Sequence, residues 1–88
     1  MEREQQARDE FLAEVNFAAD ELKALPLAEV VAKARNVLAD RRYRPSYFTP
    51  TIHGIIGWYK DNLSLSERQA EVLRRHIAFF EVEISHDE

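Results

Sequence analysis

The apolar positions of this chain recur every three or four residues in four separate stretches, a spacing that predicts helices throughout. In the first stretch Ala7, Phe11, Val15, Ala18, Ala19 and Leu22 line one face of a helix over residues 3–24. Leu12 widens that stripe, whereas Phe17 falls off it. Glu2 and Glu4 stand at the helix start, where a carboxylate suits the positive end of the dipole. Pro26 lacks the N–H that an interior turn requires. It divides the first helix from a second over residues 27–41, whose stripe is Leu27, Val30, Val31, Ala34 and Leu38. Glu29 and Lys33 are four apart in the favourable order, a pairing that contributes about 0.2–0.5 kcal/mol.

Thr49 and Pro50 read as a helix cap followed by proline at the first helical position. The helix they open covers residues 50–61 and buries Ile52, Ile55, Ile56 and Tyr59. Gly54 and Gly57 fall on another face, each at about 1 kcal/mol relative to alanine; close approach of a neighbouring helix or a partner would account for them. Ser66 and Gln69 have the spacing of a capping box, with Ser64 and Glu67 as the competing choice. In the fourth helix, over residues 67–84, Ala70, Leu73, Ile77, Phe80 and Ile84 form a seam with alternating steps of three and four. Residues 80–84 also alternate with period two, which leaves a terminal strand as the alternative there. No second strand signal exists to pair with it.

These elements predict an all-α fold: one domain over residues 1–88, a compact bundle of about four helices, with the first able to extend past the core. Two glycines and three prolines are too few for a sandwich or a barrel. A hydrophobic content of 45% sets the chain apart from disordered compositions. The absence of cysteine excludes disulfides and thiolate metal or redox sites. Secreted domains this short usually need such staples, so a cytoplasmic setting is expected. No apolar run has the length of a signal peptide or of a membrane span, and no membrane partner is expected.

The net charge of −4 is unevenly placed. Residues 1–24 hold seven acids and three bases, residues 25–62 three acids and six bases, and residues 63–88 six acids and three bases. The middle of the chain is therefore basic and both ends acidic. Within the basic part, Arg35, Arg41, Arg42 and Arg44 are interleaved with Tyr43, Tyr47 and Phe48. Guanidinium groups contact phosphates and aromatic rings stack on unpaired bases, so this segment is a candidate nucleic-acid contact. The plainer reading has the arginines capping the second helix and the rings folding into the core.

Other chemistry is sparse. Gly54-Ile55-Ile56-Gly57 has the spacing of a phosphate-gripping GXXG loop, but it sits inside an apolar helical pattern without strands. Glu83 and His86 have the Glu-x-x-His spacing of di-iron bundles, which need two such pairs and further glutamates. Ser46, Ser64, Ser66 and Ser85 have turn or capping roles, and no phosphate loop or nucleophile elbow is present. No catalytic residue, cofactor, metal or small-molecule substrate is therefore expected. So short a helical chain also has little room for a ligand-sized pocket.

Aromatic side chains are in excess of what the seams require. Trp58 is turned about 100° from Tyr59, and Phe79 and Phe17 likewise lie beside their seams. Trp58, Phe79, Phe17 and Tyr47 are the candidate anchors of a protein interface. The expected function is a non-enzymatic helical binding module that acts through a protein partner, a second copy of the chain included. The arginines would supply charge complementarity. The alternatives are nucleic-acid binding through residues 35–48, and a small acidic inhibitor of phage type that occupies the basic cleft of a nucleic-acid enzyme.

Overall fold

The computed structural model describes the backbone of residues 2–87 and the side chains of residues 7–86. It consists of four helices: α1 (Glu2–Leu22), α2 (Leu27–Ala39), α3 (Thr49–Asn62) and α4 (Glu67–Asp87). The fold is the all-α bundle that the periodicity predicts. Residues 80–84 belong to α4, which settles the choice between helix and strand in favour of helix.

α4 is the central element and packs against each of the other three helices. The predicted seam holds: Ala70, Leu73, Ile77 and Phe80 are buried, and Ile84 is partly so. A second buried pair, Ala78 and Val82, lies on a different side of the helix. A helix packed against three others buries more than one of its faces. Val15, Ala19 and Leu22 of α1 join Val30, Val31, Ala34 and Val37 of α2 and Ile52 and Ile55 of α3 in one core.

Residues 7–10 of α1 are exposed. Ala7 is exposed rather than buried, and Leu12 does not widen the buried stripe. The side chains of Glu2 and Glu4 lie outside the described residues. After Leu22, single hydrogen-bonded turns carry the chain to Leu25, and Pro26 caps α2.

α2 ends at Ala39, two residues short of expectation, because Asp40 offers the backbone another bond. Its Oδ1 accepts the Arg42 backbone N–H at 2.8 Å, a local turn that competes with the helix. Glu29 and Lys33 do not reach ion-pair distance among the described residues. Thr49 does not cap α3: Phe48 occupies that position, and Thr49 is the first helical residue, with Pro50 second. Thr49 Oγ1 is engaged by the loop, where it accepts the Ser46 N–H at 2.9 Å.

The capping box of α4 forms as read. Gln69 N–H donates to Ser66 Oγ at 3.1 Å, and Ser66 N–H to Gln69 Oε1 at 2.9 Å. Apart from the adjoining residues and the backbone of α3 itself, no atom of the described residues lies within 4 Å of a Cβ added at Gly54 or Gly57. The close approach expected from a neighbouring helix is therefore not made within this chain.

Candidate functional site

The loop between α2 and α3 folds back along α4. The Tyr43 hydroxyl shares a hydrogen bond of 2.8 Å with Thr49 Oγ1. Its ring meets His76 edge-on, with centroids 5.4 Å apart, and Phe80 at 6.4 Å. Tyr43 thus pins the loop to α4. Ser46 Oγ accepts the Phe48 N–H at 3.2 Å and turns the chain into α3.

Between this loop, the start of α3 and the outer side of α4 runs a half-open groove of about 500 Å³. Its walls are largely apolar. Phe48 and Ile52 line one side, and Val72, His76, Phe79 and Glu83 run along α4. Eleven residues separate Val72 from Glu83, so the groove follows α4 for about 16 Å, or three turns. The volume lies within the range of ligand pockets, more than so short a chain was expected to hold.

α1 borders the same stripe of α4. Phe11 and Phe79 meet edge to face at 5.1 Å. Arg75 donates to Asn16 Oδ1 at 2.6 Å, and His86 Nε2 lies 2.6 Å from Glu14 Oε2. His86 thus turns to α1, and among the described residues no three groups assemble for a metal ion.

The four candidate anchors are all substantially exposed: Tyr47 by 84%, Phe17 by 67%, Trp58 by 53% and Phe79 by 47%. They are not gathered in one place. Phe79 lines the groove, and Tyr47 stacks on the groove residue Phe48 with centroids 4.3 Å apart. Phe17 and Trp58 do not line it.

The arginines separate in the same way. Asp40 grips Arg42 with bonds of 3.1 and 3.0 Å, and the guanidinium lies 5.8 Å from the centre of the Phe80 ring. The Arg42 bonds hold the Asp40 carboxyl down to about 2. Arg35, Arg41 and Arg44 are exposed, with no hydrogen bond or ion pair among the described residues. Of these, Arg44 lines the groove. At the same groove the partly buried Glu83 is also without a partner among the described residues.

His76 forms part of the groove wall with a buried Nε2 that has no hydrogen-bond partner. Burial lowers its pKa, nearby His53 acts in the same sense, and a bond to the Ala34 backbone opposes both.

Sequence reasoning did not single out Val72 or His76 as site residues, and it weighed Glu83 only for its Glu-x-x-His spacing with His86. With Gln69 and Phe79 these three form a second series in steps of three and four, but only Val72 and Phe79 are apolar, so hydrophobic periodicity is nearly silent there. Comparison with protein-family models, with curated proteins and with solved structures finds no match to this chain.

Proposed function

We propose that this protein is a non-enzymatic docking module that binds another protein surface in the groove along α4. One observation carries the reading. An apolar trough about three turns long lies open beside exposed rings of Tyr47, Phe48 and Phe79. Aromatic anchors around a concave apolar surface are the arrangement in which interface energy concentrates. A helix or a loop of a partner fits a trough of this form. The lack of cysteine suits a reducing compartment such as the cytoplasm.

A photo-crosslinking side chain at position 79, compared with one at position 17, tests the proposal in cells. Adducts to protein at 79 in excess of those at 17 are expected. Absence of any protein adduct at 79 overturns the reading.

Arg44 and the Tyr47–Phe48 stack favour a second reading, contact with single-stranded nucleic acid. It predicts binding to a labelled oligonucleotide that weakens steeply with salt and disappears in Arg41→Ala/Arg44→Ala. No binding at low salt removes it. Tyr43, bonded to Thr49 and packed on Phe80, contributes to the loop's shape in either case.

A further inference from the structure

The geometry points to a second copy of this chain as the occupant of the groove, in a twofold dimer held by reciprocal Arg44–Glu83 pairs. The inference rests on the docking reading and specifies its partner. The groove presents one cation and one carboxylate without partners among the described residues, Arg44 on the loop and Glu83 on α4. Glu83 is partly buried beside the apolar side chains of the groove. A surface that satisfies both must itself carry one charge of each sign at matching positions. A second copy of the same groove does so by symmetry: Arg44 meets Glu83 of the other copy, and Glu83 meets its Arg44. Twofold interfaces have this self-complementary form.

Shape supports the same occupant. A concave surface cannot fill itself unless each copy also carries a projection. Tyr47 is that projection, the most exposed large hydrophobic side chain among the described residues, standing on Phe48 at the rim. In a twofold arrangement each Tyr47 ring enters the trough of the other copy. Phe79, half-exposed in that trough, is covered in the process.

Among the described residues Arg44 and Glu83 make no hydrogen bond or ion pair, so exchange of their charges breaks none within the bundle. Analytical ultracentrifugation of the purified chain is expected to give the mass of two chains. Arg44→Glu alone and Glu83→Arg alone each place like charges across the twofold and raise the dissociation constant about tenfold or more. An equimolar mixture of the two variants then regains the dimer, because each like-charged contact is replaced by an opposite one. A pair within one chain would be restored in the double variant but not in the mixture.

A wild-type chain that stays monomeric at about 100 μM overturns the inference. So do single variants that dimerise as wild type, or a mixture that stays apart. If the wild-type chain is monomeric while position 79 still crosslinks to a different protein, the dimer fails and the docking reading stands. If position 79 captures no protein at all, both fail.

Discussion

Leu63 adopts a left-handed backbone, with φ at 55°, immediately after α3. Its N–H closes the helix on the Tyr59 carbonyl at 2.7 Å. That conformation costs an L-residue roughly 1–2 kcal/mol, a strain that glycine does not bear. Glycine loses part of this gain through the freedom of its unfolded chain, about 0.4–1 kcal/mol. Leu63 is 75% exposed, so removal of its side chain forfeits little burial. Leu63→Gly is expected to raise stability by about 0.5–1 kcal/mol in urea unfolding, with Leu63→Ala near wild type. A loss of stability in the glycine variant would mean that the leucine side chain supports the fold. Three residues later, Ser66 satisfies the Gln69 N–H. Ser66→Ala is expected to cost about 1 kcal/mol in the same measurement, the usual penalty for losing a helix cap.

At the scale of elements, α3 and α4 show how far periodicity carries. The seam of α4 was legible because Leu73, Ile77 and Phe80 repeat at helical spacing, and it is buried as read. Its second face was not, since Ala78 and Val82 follow Glu71, Arg74 and Arg75 on the same side of the helix, and a run of charged residues there hides the apolar pair. Ala78 is fully enclosed there. Ala78→Leu is expected to cost about 1–3 kcal/mol by overpacking, visible as a lowered Tm. The groove was illegible for a related reason: its walls come from a loop and a helix that no local pattern relates. The capping box, by contrast, is a local hydrogen-bond exchange and could be read directly. In α3, a Cβ at Gly54 or Gly57 meets no described residue outside the helix. Gly54→Ala with Gly57→Ala is expected to add about 1–2 kcal/mol of stability, since exposed helical glycine costs about 1 kcal/mol per site. The dimer proposed above does not use this face, so its dissociation constant should be unchanged. A double variant that folds more stably but no longer docks would place an interface on α3 instead.

The whole molecule extends over 46 × 26 × 21 Å, and His76 lies where three of its parts meet. Its ring meets Tyr43 of the loop, and the Ala34 backbone of α2 and His53 of α3 both act on its charge. Arg44, Arg75 and Glu83 line the same groove. With its pKa lowered in the folded state, His76 stays neutral there while the unfolded chain takes up a proton below about 6.5. The unfolded state then holds more protons, and stability falls as pH falls through the window from 6.5 towards the lowered value. Above that window this group makes no contribution to the pH dependence. Asp40 acts in a separate, more acidic window: its carboxyl is depressed from 3.8 to about 2, and the stability it lends is lost only as pH drops through that interval. Urea unfolding at pH 7 and at pH 5 separates the two groups. The wild-type chain should be less stable at pH 5, and His76→Gln should show a smaller difference between the two values, because His53 and His86 are common to both proteins. Protonation of His76 also places a cation in a wall that presents few polar atoms to receive it. The loss should therefore be global, with all four helices melting together in circular dichroism and the tryptophan signal of Trp58 changing in the same transition. Equal pH dependence in wild type and His76→Gln would show that the ring exchanges its proton without reference to the fold.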